Sequence, residues 1–263
     1  MNLVLESLKE KLAGKLIGHE LHYFAETGST NDDAFRLGVA GAPEGTVIVA
    51  ESQSAGKGRL QRVWHSPPGT NIYTSVILRP SFEAAHAPQI SIAAGVAVAE
   101  TLNPYCGGRA ELKWPNDVLI GGKKVCGILA QMKTAESGID FVVVGIGINV
   151  NLRREQLPDE IREIATSLAI EAGCEISRSE VIIRLYENLS KWYKELLNCG
   201  FEPIRRAWLG MSPMVGKAVQ VRFHQDVISG TVSGLHDDGA LILQTDTEQT
   251  LYVSAGDASI IKR

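Results

Sequence analysis

RAELKWPNDVLIGGKKVCGILAQMK, residues Arg109–Lys133, carries the pattern of a strand followed by a tight hairpin. RAELKWP reads as a strand that Pro115 breaks. Asn116 and Asp117 then fall at a turn, and two apolar runs flank Gly121-Gly122. A Gly-Gly pair between apolar runs signals a β-hairpin, because the tight turns that join paired strands need positive φ. Lys113 ends the first strand and Lys124 lies on the returning one, so the hairpin presents Lys113, Asp117 and Lys124 to one space. A surface hairpin with paired charges has the same sequence texture. IDFVVVGIGINV, residues 139–150, adds another strand and puts Asn149 at its end.

Strands and helices alternate before this block. HELHYFAE (19–26) predicts a strand, STNDDAFRLG (29–38) a helix and TVIVAES (46–52) a strand. Ser29 or Thr30 is placed to cap the helix, Asp32 and Asp33 sit in its first turn, and Gly38 is expected just past its end. TNIYTSVILRP (70–80) has the β-branched and aromatic content of a strand, and QISIAAGVAVAETLNPY (89–105) predicts a buried helix stopped by Pro104. MNLVLESLKEKLAGK, at the beginning of the chain, reads as a short amphipathic helix. Its Glu6 and Glu10 set it apart from a secretory signal.

From Asp159 to Leu209 the pattern turns helical, with Leu185, Leu189, Trp192 and Leu196 on one face of the longest helix. Beyond Met214 the texture becomes short strands with tight turns: KAVQVRFH, VISGTVSGLH, ALILQTD, TLYVS and ASIIK, with Asp237-Asp238-Gly239 at one turn. This segment predicts a small β-barrel. A boundary near residue 211 divides the chain into 1–210 and 211–263.

The composition excludes several classes. The 263 residues carry a net charge of −4, so the average lacks the footprint of a dedicated nucleic-acid binder. No run approaches the roughly 20 apolar residues that span a bilayer. Four widely spaced cysteines without a C-x-x-C pair suggest neither a zinc site nor a disulfide framework, and fit reduced thiols in a cytoplasm.

Against that acidic background SAGKGRLQRVW, Ser54–Trp64, stands out. It fails the G-x-x-x-x-G-K-[ST] pattern, and Gln61 occupies the third glycine position of G-x-G-x-x-G. Glycines that admit an anion to backbone N–H groups, beside fixed cations, still suit a phosphate or oxyanion loop, and a solvated basic turn suits the same residues. The segment runs on through WHSPPGTNIY, and a loop of that length in a compact domain is commonly functional or disordered. Asn149 is placed to orient a phosphate or a metal-bound water, or simply to end a strand.

Taken together these segments resemble the biotin protein ligase family. The resemblance rests on STN at 29–31, QSAGKGRLQRVW at 53–64, SPPGTNIY at 66–73, KWPND at 113–117, K-x-x-G-I-L at 124–129 and GIGIN at 145–149. Their order and spacing are specific where each alone is weak. The family loop is normally written G-R-G-R-x-x-R-x-W, and here Lys57 replaces the first arginine, keeping the charge without the planar fork.

The resemblance implies an α+β fold: a mixed-sheet catalytic domain of the biotin/lipoate ligase and class II synthetase type, followed by an SH3-like barrel. It implies an enzyme that makes biotinyl-5′-adenylate from biotin and ATP with Mg²⁺. The biotinyl group then passes to one lysine of a biotin carboxyl carrier protein. By family match Ser29, Thr30, Asn31 and Gln53 meet biotin's polar head and ring, while Lys57, Gly58 and Arg59 close over its chain and the adenylate. Lys124 sits at the reacting carboxylate and α-phosphate. Lys113, Arg62, Asn116, Asp117 and Asn149 serve the ATP phosphates and magnesium, with the ion near Asp117 and Asn149 rather than held by dedicated ligands, and Trp64 covers the adenine. Lys124, Arg59 and Lys113 form the expected catalytic set. A homodimer is allowed. DNA binding is not expected, because only some 28 residues precede STN. Lipoate ligation is the rival enzymatic reading, and a biotin-binding regulator without transfer is the rival of another class.

Overall fold

The computed structural model describes residues 5–136, 138–223 and 225–261. The first four residues of the expected N-terminal helix, His224 of the first barrel strand and Lys262 of the last lie outside them. The elements in order are α1 (Leu5–Leu12), β1 (Leu21–Phe24), α2 (Thr30–Val39), β2 (Val47–Ala50), β3 (Ile72–Leu78), α3 (Pro88–Cys106), β4 (Ala110–Lys113), β5 (Asp117–Ile120), β6 (Lys123–Ala135) and β7 (Gly138–Ile148). Then come α4 (Leu168–Ala172), α5 (Arg178–Cys199), α6 (Glu202–Met211), β8 (Ala218–Phe223), β9 (Asp226–Leu235), β10 (Leu241–Gln244), β11 (Thr250–Val253) and β12 (Asp257–Ile260).

Seven strands form one mixed sheet in the order β1-β2-β3-β7-β6-β5-β4, in which only β1 and β2 run parallel. The predicted hairpin is present: Gly121 and Gly122, with φ of 57° and 76°, turn β5 into β6. The last five strands make an SH3-like antiparallel sheet in the order β11-β10-β9-β8-β12.

Strand alternation explains where the site lies. Val142, Val144, Ile146 and Ile148 of β7 point into the main core with α3 and α5. Phe141 and Val143 point the other way, where Ala34 of α2 covers them together with Ile48 and Ile77. Gly145 and Gly147 continue that second face, Gly145 under Asn31 in the first turn of α2 and Gly147 under the Trp64 ring. Gly127 pairs with Gly147 across the β6–β7 ladder. Three glycines thus leave a shallow trough in the sheet.

Three local expectations are corrected. Gly38 lies inside α2 rather than past its end, and a Cβ there would stand 2.7 Å from the Phe141 ring, so close packing on the sheet is what demands glycine. Pro104 does not stop α3; it falls in the last turn, where it removes one hydrogen bond, and the helix ends at Gly107 in the left-handed conformation. Helix does not begin at Asp159: residues 159–164 form turns, Ala165 bridges to Lys124, and the first helix of that region is α4. On α5, Leu185, Leu189 and Leu196 are buried as expected, with Trp192 partly buried beside them.

The second sheet docks on the first through the turn at 237–239. Trp114 Nε1 donates to the Gly239 carbonyl at 3.1 Å, Gln89 Nε2 donates to the Asp237 carbonyl, and Arg205 pairs with the Asp237 carboxylate. The apolar core runs without interruption from α3 into Val219, Val221 and Leu241 of the second sheet.

Candidate active site

One cavity of about 1080 Å³ opens between the glycine trough, the loop after β2 and the second sheet. Every residue singled out from the sequence lines it: Ser29, Thr30, Asn31, Gln53, Lys57, Gly58, Arg59, Arg62, Trp64, Lys113, Asn116, Asp117, Lys124 and Asn149.

One end of the cavity is a hydrogen-bonding pocket at the N-terminus of α2. Gln53 Oε1 accepts from the Thr30 backbone N–H at 2.9 Å and from the Thr30 hydroxyl at 3.2 Å, while its Nε2 donates to Ser66 Oγ. Gln53, not Ser29, therefore serves the first orphan donor of the helix. The Ser29 hydroxyl makes no capping bond. Asn31 is committed at both ends: Oδ1 accepts from Ser75 Oγ at 2.7 Å, and Nδ2 donates to the Leu129 carbonyl and Gln131 Oε1. A Cβ at Gly145 would overlap that amide, standing 1.8 Å from its Oδ1.

The loop 56–64 closes on itself, with Gly58 N–H donating to the Arg62 carbonyl at 2.7 Å and Trp64 N–H to the Gly56 carbonyl at 2.9 Å. Its tip holds two non-glycine residues, Leu60 and Gln61, at φ of 53° and 59°, a conformation that costs of order 1–3 kcal/mol per residue and clusters at functional sites. Trp64 lies in the trough, its ring against Gly127 and Gly147 and 5.4 Å from Lys124 Nζ. Its Nε1 is buried without a hydrogen-bond partner.

Across the cavity, β5 and β6 deliver the charges. Lys124 Nζ lies 2.6 Å from Asp117 Oδ1, close enough for an ion pair but too steeply angled to count as a hydrogen bond. Arg59 Nη1 donates to Asn116 Oδ1 and to the Gly256 carbonyl, both at 3.2 Å, and lies 3.4 Å from Asp257, which also pairs with Arg62 at 2.7 Å. Burial pulls the Arg59 guanidinium below its usual value, against the opposing pull of Asp257 and Asp117. Asn149 is tied on both sides, with Oδ1 accepting from Asn71 and Nδ2 donating to the Thr166 carbonyl.

Sequence reasoning missed Asp257 and Arg222, which the second sheet contributes to the lining. Asp257 lies 198 positions from Arg59, and no local pattern announces such a pairing. It also missed Ser75 and Gln131 behind Asn31, ordinary polar residues on strands whose alternation points them at the site face.

Family models match on both parts of the chain: the biotin/lipoate A/B protein ligase family over residues 23–149 and the biotin protein ligase C terminal domain over 215–260. The bifunctional ligase/repressor BirA of Bacillus subtilis (strain 168) is 39% identical over 235 residues, covering 89% of this chain and 72% of that protein. The biotin--[acetyl-CoA-carboxylase] ligase of Paracoccus denitrificans is 36% identical over 227 residues, covering 84% and 92%. Among solved structures, the biotin protein ligase from Aquifex aeolicus in complex with biotin and ATP superposes with a TM-score of 0.79 at 31% identity, covering 93% of this chain and 99% of that one. The chain belongs to the biotin protein ligase family.

Proposed function

We infer that this chain is an ATP-dependent biotin protein ligase, and the observation that carries the reading is the two-ended cavity. A neutral hydrogen-bonding pocket at Ser29, Thr30 and Gln53 suits biotin's ureido head, and a cationic end at Arg59, Arg62, Lys113 and Lys124 suits a nucleotide. In the first step a biotin carboxylate oxygen attacks the α-phosphorus of ATP and pyrophosphate leaves. In the second, a neutral lysine amine of the carrier attacks the acyl carbon, AMP leaves with the electron pair of the broken C–O bond, and the nitrogen gives up one proton to solvent. The first step brings like charges together, so the protein's contribution there is neutralisation and alignment, whereas the second, with a neutral nucleophile, depends on alignment and on stabilising the departing AMP.

We assign the meeting point of carboxylate and α-phosphate to Lys124, with Arg59 and Lys113 as the supporting cations. Trp64, on the glycine trough, offers its face to the adenine. Asn31 and Asn149, whose amides are already paired, hold the walls of the site in place. Among the described residues no three acidic, histidine or cysteine side chains converge into a metal cage. The carboxylate nearest the cationic end, Asp117, has its Oδ1 2.6 Å from Lys124 Nζ, so it would join an Mg²⁺ ion shared with nucleotide phosphates only as that ammonium turns to the phosphate. Bound there, the ion would neutralise phosphate charge.

The acceptor we propose is the biotin carboxyl carrier protein of a carboxylase, in a cytoplasmic setting that the four free cysteines support. We also propose residues 1–210 as the catalytic domain and 211–263 as the barrel that completes its cavity. The test is incubation with Mg-ATP, a carrier domain and either biotin or lipoate. Biotin alone is expected to give pyrophosphate and the corresponding mass gain on the carrier. Equal or greater modification by lipoate overturns the assignment. Sequence-specific, salt-sensitive retardation of DNA by the pure chain would add a regulatory role of the kind named for BirA.

A further inference from the structure

Six cationic side chains line the cavity: Lys57, Arg59, Arg62, Lys113, Lys124 and Arg222. Four have a carboxylate partner, Lys57 with Asp32, Arg59 and Arg62 with Asp257, and Lys124 with Asp117. Among the described residues Lys113 and Arg222 have none. Each of these two stands directly opposite a carboxylate in its own strand ladder, Lys113 opposite Asp117 in β4–β5 and Arg222 opposite Asp257 in β8–β12. Both carboxylates have turned instead to cations from another strand or loop. The arrangement leaves two uncompensated charges on the two sheets that flank the cavity.

Two cations without a carboxylate partner, one from each sheet lining the same cavity, suit a ligand with more charge than one phosphate carries. We propose that Arg222, from the second sheet, binds the β- and γ-phosphates of ATP, and with them the departing pyrophosphate, alongside Lys113 of the first. The assignment rests on the ligase reading and adds to it a phosphate-binding residue from the barrel. During adenylate formation the α-phosphorus–oxygen bond to the β-phosphate breaks and the electron pair leaves with pyrophosphate. A guanidinium with its planar fork of donors holds that charge as it develops. Arg222 lies in an exposed strand position, so its replacement does not threaten the core. Biotinyl-5′-adenylate carries neither the β- nor the γ-phosphate, so the second half-reaction does not use it.

The experiment compares Arg222→Gln and Arg222→Lys with the unaltered chain in three measurements. Titration with inorganic pyrophosphate and Mg²⁺, read by calorimetry, needs no catalysis; Arg222→Gln is expected to weaken binding roughly tenfold, the lower end for a hydrogen bond to a charged group, and Arg222→Lys to recover part of it. The KM for ATP in adenylate formation is expected to rise by a similar factor while the KM for biotin stays within twofold. Transfer from preformed biotinyl-5′-adenylate to the carrier is expected to be unchanged. Unaltered pyrophosphate binding in Arg222→Gln overturns the proposal, as does a rise in the KM for carrier in place of that for ATP. If the unaltered chain binds pyrophosphate through Arg222 yet makes no adenylate from biotin, the ligase reading fails and the phosphate site stands.

Discussion

Lys57 reaches from the loop to the first turn of α2, its Nζ 2.6 and 2.7 Å from the two carboxylate oxygens of Asp32. This is the position where the loop departs from the arginine expected of the family, and the contact shows what the cation does there. It ties the loop to the helix that carries Ser29 and Thr30. Both side chains are about half exposed, 46% and 48%, so the pair contributes only ~0.2–1 kcal/mol and weakens with salt.

That magnitude bounds the effect of breaking the pair. Asp32→Asn is expected to speed the escape of biotinyl-adenylate from the enzyme by roughly two- to fivefold. Lys57→Arg, which can grip both oxygens with a planar fork, is expected to slow escape while leaving adenylate formation within a few fold. A single-turnover experiment without carrier, following bound and free adenylate separately, measures both. Escape from the arginine variant as fast as from the unaltered chain would reduce Lys57 to an ordinary exposed cation.

Lys124 stands between Asp117 and the Trp64 ring, and its contribution is charge rather than packing. Lys124→Ala is expected to lower the rate of pyrophosphate release by roughly 10²–10³, the cost of removing one preorganised donor at a developing charge. Its thermal midpoint should stay close to that of the unaltered chain, because the side chain is one third exposed. Near-normal pyrophosphate release would move the reacting centre elsewhere in the cavity.

How far the sequence reveals this molecule depends on the range of each interaction. The Gly121-Gly122 hairpin is a local event, and the residues that make it are adjacent. The glycine of α2 is not: Gly38 carries the signature of a helix terminator, yet its neighbour is Phe141, about a hundred positions away and visible only once β7 lies under the helix. The site shows the same division. Motif segments brought every expected residue to one cavity, but residue type alone does not distinguish a ligand-facing amide from one used internally, and Asn31 and Asn149 proved to be tied at both ends. Asp257 and Arg222 were illegible because the docking of the second sheet, through Trp114 and the turn at 237–239, is what brings them there.

Behind the site, the fully buried Arg178 places Nη1 2.8 Å from Glu51 Oε2 and 3.1 Å from the Asn71 carbonyl. Asn71 in turn holds Asn149. Arg178→Met removes one member of a buried pair and leaves the Glu51 carboxylate uncompensated, a change that costs about 3–5 kcal/mol. Urea unfolding is expected to show that loss as a lower midpoint with an unchanged slope, and Glu51→Gln added to Arg178→Met to restore part of it. A loss below about 1 kcal/mol would mean that water or another group already serves Glu51.

The seat of Trp64 on the glycine trough makes the last prediction the most direct test of the closed loop. A Cβ at Gly147 would stand 2.5 Å from Trp64 Cε2 and Nε1, and one at Gly127 would stand 2.9 Å from Cζ3. Gly147 lies within β7 and is not among the glycines with positive φ, so alanine fits the backbone, and the three atoms nearest its methyl all belong to the ring. Since the ring's Nε1 has no hydrogen bond to hold it, the indole is the group that moves. Gly147→Ala is therefore expected to keep its thermal midpoint within a few degrees while the loop opens. Trypsin should then cleave after Lys57, Arg59 or Arg62 several times faster, and the KM for ATP should rise about tenfold as the platform for the adenine is lost, since base–aromatic stacking is worth ~1–3 kcal/mol. Trp64→Ala should reproduce the rise in KM, and combining it with Gly147→Ala should add little, because both changes remove the same contact. Unchanged proteolysis together with an unchanged KM in Gly147→Ala would show that the indole does not rest on the trough in solution.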